Sequence, residues 1–345
     1  MFVCQHIVLF FTLKEKITFG IMSSMLNIQS PIKDEIRNFE PYFRNTIKSK
    51  VPLLEIITNY ILRRKGKQMR PMFVFLSAKI NGQVSDASYV AASFIELLHT
   101  ATLIHDDVVD ESYQRRGFFS LNAIWKNKIS VLVGDYFLSR GLLLAVETKQ
   151  FDLLKIVSEA VQEMSEGELL QIEKARKLDI TEEVYYEIIR KKTASLIASC
   201  TACGAKSVGA SDEAVAKMKQ IGEDIGMAFQ IKDDLFDYEK TNLTGKPSGN
   251  DLKEKKLTLP LIHALKNCSS KERREIVKIV KTKKKTTKQI QKVVDFVHKY
   301  KGIEYSIEVM IKYKNSALNL LETFNENEAK NSLKSLIEYS ISRQK

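Results

Sequence analysis

The sequence predicts an all-α protein folded as one helical domain, and three observations carry that prediction. The 345-residue chain holds only 14 Gly and 6 Pro, few breakers for its length. No apolar–polar alternation persists beyond a few residues, so no half-buried strand is expected. Two short acidic clusters, Asp106-Asp107-Val108-Val109-Asp110 and Asp233-Asp234-Leu235-Phe236-Asp237, each close an apolar, helix-like run. Clusters of one form at two helix ends are expected to meet across a shared interior, with no linker dividing them.

The elements follow in chain order. Residues 1–25 are set aside as an N-terminal extension, and residues 26–345 form the domain. The apolar run Ile7 to Phe11 is too short to span a bilayer, no small-residue cleavage site follows it, and Met22 and Met25 offer alternative starts. Ser30-Pro31 followed by Asp34 and Glu35 marks a helix start, with proline in the first turn and acids near the positive end of the dipole. A second helix opens near Pro52, and residues 86–109 form a long apolar-rich helix that ends in the first acidic cluster. Further helices are expected at 129–148, 150–173, 181–206 and 211–238, the last opened by Ser211, Asp212 and Glu213. Residues 241–256, with Gly245, Pro247 and Gly249, read as a loop. Past Pro260 helical period returns, Ser269 and Glu272 have capping-box spacing, and the tail is amphipathic.

Composition narrows the partners. Lys and Arg number 54 against 42 Asp and Glu, a net +12 that favours an anionic partner. Much of it is local, as in the five lysines between Lys281 and Lys288, which read as a solvated turn or helix face. No basic motif with interleaved aromatics appears, so a nucleic-acid partner is not expected. Cys4, Cys200, Cys203 and Cys268 form no disulfide framework, which points to a reducing, cytoplasmic setting. Cys200 and Cys203 have redox-motif spacing but lie in a small-residue helical run, so they are expected as buried helix cysteines.

The acidic clusters carry the chemistry. In a helix the first and last aspartates of each cluster share a face. Acids at a helix C-terminus oppose the dipole and repel one another, which is costly unless a cation joins them. An oxygen-only donor set suits Mg²⁺, which fills its remaining positions with water and substrate phosphate. A second, basic constellation fits that idea. It comprises Gly66-Lys67-Gln68-Met69-Arg70-Pro71, Arg115-Arg116-Gly117, Lys192-Thr193, and Lys246 and Lys256 flanking the loop. Arg offers phosphate a planar fork of donors and Lys a point charge, so these residues read as two anion pockets. Glu96-Leu97-Leu98-His99 has the spacing of di-iron bundles, but such sites need two copies and there is one. His99 is instead expected as a phosphate donor or a satisfied core histidine.

Taken together these residues resemble the trans-type polyprenyl diphosphate synthases, long-chain octaprenyl- or heptaprenyl-synthase-like members in particular. Asp106 to Gly117 is similar to that family's first aspartate-rich motif, and Gly226-Met227-Ala228-Phe229-Gln230-Ile231 leading into Asp233–Asp237 to its second. The likeness covers about residues 30 to 300. It implies a helical bundle of the isoprenoid-synthase type with a central active-site cavity. It further implies Mg²⁺ ions, three per site, bound by Asp106, Asp110 and Asp233, with Asp107, Asp234 and Asp237 completing the shells. Arg115, Lys192, Lys246 and Lys256 would hold the allylic diphosphate. Gly66, Lys67, Arg70, His99 and Arg116 would hold isopentenyl diphosphate, and Thr193 and Gln230 would line the reacting centre. Lys65, Gln68 and Lys255 depart from the family pattern without removing a needed charge.

Leu98, Ala101 and Thr102 lie one or two turns before Asp106. By resemblance, short-chain enzymes block this point with aromatics, so small side chains imply an open tunnel and a long-chain product. A short-chain synthase is the nearest rival. A class I terpene cyclase would not need Gly66 to Arg70, and a non-catalytic partner subunit would be expected to lack some of the six aspartates. A homodimer and transient contact with a membrane surface for product release complete the implied partners.

Overall fold

Apolar stripes and caps set the helices of this computed structural model, which describes residues 27–63, 68–115, 118–177, 180–238, 256–282 and 284–342. A 3₁₀ turn at Ser30–Ile32 leads into α1 (Lys33–Thr46), followed by α2 (Pro52–Leu62), α3 (Met69–Asn81) and α4 (Asp86–Val109). A two-residue antiparallel ladder, β1 (Gln114–Arg115) with β2 (Phe118–Phe119), joins α4 to α5 (Leu121–Glu147). It is too short to alternate, and the architecture remains a helical bundle. Then come α6 (Phe151–Lys177), α7 (Glu182–Ile189), a π turn at Arg190–Ala194, α8 (Ser195–Lys206) and α9 (Asp212–Leu235). A 3₁₀ turn at Phe236–Tyr238 follows α9; beyond it lie α10 (Leu259–Asn267), α11 (Ser270–Lys281), α12 (Thr287–Lys299), α13 (Gly302–Leu321) and α14 (Glu328–Ser342). The expected N-terminal extension, and the loop to residue 255, lie outside the described residues.

The interior is organised around α8, whose Leu196, Ala198, Cys200, Ala202, Cys203 and Ala205 are buried along with its serines and Thr201. A helix apolar and small all round can only be internal. Close approach does the rest. A Cβ on Gly204 would fall 2.3 Å from Val74 O of α3, and one on Gly222 of α9 would fall 2.2 Å from Thr201 Oγ1. Both expected cysteines are buried here, and burial pushes the Cys200 thiol up to about 12, which keeps it protonated and inert. A smaller cluster of Ile47, Ile57, Leu97, Ala101, Ile104, Leu121, Val133 and Phe137 knits α4 to α5 and α2.

The structure departs from the sequence reading at several points, among them α6, which runs on to Lys177 past the expected 173. α5 begins at Leu121 because two helical stretches join across Lys126, whose backbone leaves the helix at φ 66° and ψ 166°. The helix expected at 181–206 is interrupted by the π turn. The second acidic cluster closes in a 3₁₀ turn, so Asp237 lies past the end of α9. Ser269 caps α11 by accepting from Glu272 N, but Glu272 accepts from the Ser269 hydroxyl at 2.6 Å, so the box is half formed. α4 and α5 are long and apolar enough to cross a membrane by length and composition. α4 is nevertheless a core helix, whereas α5 keeps Val131, Leu132, Leu142, Leu143 and Val146 exposed.

Candidate active site

Helix register brings the acidic rows to one end of the bundle. α4 runs antiparallel to α8: Ser88 Oγ lies 2.7 Å from Ser207 Oγ, and Glu96, paired to Arg70, acts electrostatically on Cys200. Ten residues further along α4, about 15 Å at the rise of an α-helix, the row Asp106–Asp110 lies towards the end of α8 that the π turn begins. α9 is antiparallel to α8 as well. Gly222 meets Thr201 and Ala198, Gly226 meets Ala194, and Gln230 meets Thr193. The row Asp233–Asp237 therefore leaves the core at the same end.

The second row is held by a hydrogen-bonded chain. Thr193 Oγ1 donates to Gln230 Oε1 at 2.9 Å, and Gln230 Nε2 donates to Asp234 Oδ1 at 2.8 Å. The buried Tyr185 hydroxyl donates to Asp234 Oδ2 at 2.8 Å. Burial, then the neighbouring Asp234 carboxylate, push the Tyr185 phenol well above its ordinary range, so it stays a donor. Both Asp234 oxygens are thus engaged by protein donors, which leaves the half-buried Asp233 as the outward acid of this row. In the first row Asp106 is half-buried, Asp107 is buried and Asp110 is exposed, and Asn122 Nδ2 pins the Asp107 carbonyl at 3.0 Å.

These donors fit Mg²⁺: they are hard carboxylates, with Asp106, Asp110 and Asp233 facing outward and the rest built in. Among the described residues no three carboxylate, imidazole or thiol groups already converge on one point. An ion shared by the two rows would need phosphate oxygens between them, which is the coordination habit of Mg²⁺.

The basic residues are partly visible. Arg70, in the first turn of α3, forms a two-pronged ion pair with Glu96, Nε to Oε1 at 2.9 Å and Nη2 to Oε2 at 3.2 Å. That pairing commits Glu96 and removes the di-iron reading of Glu96 and His99. Gln68 caps α3 in the left-handed region, φ 50°, a conformation uncommon for a residue with a side chain. Lys192 lies in the π turn, ion-paired with Glu168 and 3.4 Å from Gln171 Oε1 of α6. A Cβ on Gly167 of α6 would fall 2.9 Å from Lys192 N, so the two elements touch at backbone distance. Lys256 is half-buried ahead of α10. Gly66, Lys67, Arg116 and Lys246, and the Arg115 side chain, lie outside the described residues. Leu98 and Ala101 are buried, and the half-buried Thr102 donates to the His99 carbonyl at 3.0 Å. An open hollow lined by Glu308, Ile311, Lys312 and Ser316 sits on α13 and involves none of the expected site residues.

Sequence reasoning missed Tyr185, Glu168, Gln171 and Asn122. Only a contact between separate helices reveals them, and a tyrosine ahead of a Lys-Thr pair has no distinguishing neighbours in the chain.

Comparison with known proteins agrees with this geometry. The family described as Polyprenyl synthetase matches residues 51–297. The chain is 34% identical over 319 residues to the all-trans-nonaprenyl-diphosphate synthase (geranyl-diphosphate specific) of Rhodobacter capsulatus, covering 92% of this chain and 97% of that one. It is 41% identical over 220 residues to the octaprenyl diphosphate synthase of Escherichia coli, covering 64% and 68%. Among solved structures, a decaprenyl diphosphate synthase from Rhodobacter capsulatus superposes with a TM-score of 0.87 at 32% identity, over 92% of this chain and 98% of that one. A geranylgeranyl pyrophosphate synthase from Bacteroides thetaiotaomicron gives 0.80 at 38% identity, over 93% and 100%. On motif, fold and alignment together, the chain belongs to the polyprenyl synthetase family of isoprenoid synthases.

Proposed function

We propose that this protein condenses isopentenyl diphosphate with an allylic diphosphate to give a long-chain all-trans polyprenyl diphosphate, of the kind used for quinone side tails. The observation that carries the reading is the emergence of both aspartate rows at the end of the bundle where the π turn presents Lys192 and Thr193. The catalytic domain is residues 26–345.

Asp106, Asp110 and Asp233 hold Mg²⁺, three ions per site, with Asp107, Asp234 and Asp237 fixing the rows from behind. When bound, the ions neutralise the diphosphate charge and ease departure of pyrophosphate. Lys192, with Arg115, Lys246 and Lys256, meets the allylic diphosphate; for this Lys192 exchanges Glu168 for phosphate oxygen. Arg70, preset by Glu96, joins Gly66, Lys67, His99 and Arg116 around isopentenyl diphosphate. Thr193 and Gln230 border the reacting carbons. Pyrophosphate leaves with the electron pair of its bond to the allylic carbon, the isopentenyl double bond attacks the allylic cation so formed, and the released pyrophosphate takes the proton. An apolar, water-excluding cavity would protect the cation from hydrolysis.

Chain length rests on Leu98, Ala101 and Thr102. Names of relatives do not decide it: one 32% identical over 293 residues is a short chain isoprenyl diphosphate synthase. Small side chains above the first aspartate row favour the long product. The active form is a homodimer, supported by the exposed apolar row on α5, and it works in the cytoplasm with transient contact to a membrane surface.

The test is incubation of the purified protein with Mg²⁺, farnesyl diphosphate and labelled isopentenyl diphosphate, followed by chromatography of the dephosphorylated products. Long-chain polyprenols are expected, with Asp106→Ala and Asp233→Ala each losing about 100-fold or more in kcat. Absence of any prenyl product, with the wild-type protein folded, defeats the reading.

A further inference from the structure

The positive charge of this chain is concentrated in one helical hairpin. Residues 270–299, which hold α11 and α12, carry eleven Lys and Arg against three Asp and Glu, a net +8 of the whole-chain +12. The three acids are occupied within the hairpin. Glu272 pairs with Lys299 at 2.7 Å, Glu275 pairs with Lys292, and Asp295 accepts from the Gln291 amide at 2.9 Å. The two ion pairs, Glu272 with Lys299 and Glu275 with Lys292, fix α11 and α12 side by side and antiparallel.

What remains is arranged, not scattered. Lys271, Arg274, Lys278 and Lys281 recur at helical spacing along α11, all exposed, on the side opposite the buried Ile276, Ile279 and Val280. None of the four forms an ion pair among the described residues. Exposed Lys284 and Lys288 carry the charge around the turn. The hairpin also abuts the candidate site, where His298 Nε2 lies 3.4 Å from the Tyr238 carbonyl, next to Asp237.

We propose that this basic stripe docks the protein, reversibly and electrostatically, on a bilayer surface bearing anionic phospholipid. The inference rests on the prenyl-transfer reading for its purpose, since a diphosphate with a long alkenyl tail belongs in a membrane. A straight row of cations on a rigid helix matches a planar array of phosphates. Residues 270–282 contain no aromatic side chain on which a base could stack, which disfavours a single-stranded nucleic acid as occupant.

The experiment is co-sedimentation of the full chain with phosphatidylcholine vesicles, with and without phosphatidylglycerol, at about 0.1 M and about 0.5 M salt. Binding is expected only to the anionic vesicles and only at low salt. A combined Lys271→Gln, Arg274→Gln, Lys278→Gln, Lys281→Gln variant should bind about 100-fold or more weakly, at about fivefold per charge removed. Its prenyl transfer in detergent should match wild type, and circular dichroism should report the same fold. Anionic-vesicle binding that the variant retains, no vesicle binding by the wild type, or salt-dependent RNA binding in its place would each overturn the proposal. Loss of prenyl transfer by the wild type would defeat the enzymatic reading separately, whatever the vesicles show.

Discussion

Asp234 shows how much one side chain's neighbours decide. Its oxygens are taken by Tyr185 and Gln230, so it steadies the second row and leaves outward work to Asp233. Tyr185→Phe keeps the ring and removes the donor, stranding a buried carboxylate oxygen. We expect a loss of about 1–3 kcal/mol in urea unfolding, a higher Mg²⁺ concentration for half-maximal rate, and about tenfold lower kcat. An unchanged Mg²⁺ dependence would reduce Tyr185 to a packing residue. Ala101 poses a different question, because it belongs to the buried α4–α5 cluster with Leu97, Ile104, Val133 and Phe137. Ala101→Phe should shift the chromatographic profile towards shorter prenols while overpacking costs about 1–3 kcal/mol. A folded variant with the wild-type product length would end the role assigned to Ala101.

Among the elements, the π turn is the most consequential. One extra residue in the ladder lets Lys192 and Thr193 depart from the spacing a continuous helix would impose, and such turns favour functional positions. Its seat is Gly226 of α9, where a Cβ would fall 2.4 Å from Ala194 Cα. Gly226→Ala should therefore cost about 2–3 kcal/mol, read as a lowered urea midpoint, and should lengthen the Thr193–Gln230 bond with a fall in kcat. A neutral midpoint would mean the helices separate freely here. The same elements show what the chain discloses before it folds. α4 and α9 were legible because acids end apolar runs and Ser211 caps α9 through Ala214 N. α3 gave no period to read, since Met72 through Ala78 are all buried. The π turn has no residue signature, and the early start of α5 was hidden by the Lys126 break. The aspartates were legible as candidate ligands because their spacing is unusual. The partners that orient them come from other helices, and no local pattern records them.

At the scale of the molecule, the proposed homodimer would rest on α5. That helix buries one side against α4, where Gly134 lies beneath His105, and leaves Leu132, Leu143 and Val146 on its outer side. Burying such a row against its own copy suits a two-fold contact, in which one patch meets itself. Light scattering of the 39.5 kDa chain should give twice that mass. Leu132→Glu with Leu143→Glu should return it to the single-chain mass, and a variant that still sediments as a pair would locate the contact elsewhere. The last two helices carry a further implication. Lys330 of α14 is buried, and its ammonium closes the carbonyl end of α13 through Phe324 O at 2.9 Å and the Glu322 and Glu326 carboxylates. The family match stops at residue 297, ahead of both. The segment matched by the family and the foldable unit are therefore not the same stretch of chain, and the nonaprenyl synthase alignment, over 92% of this chain, runs past the matched segment. A polypeptide trimmed to the matched segment would leave the sides of α9 and α3 that those helices shield open to water, and such surfaces clump before they catalyse anything.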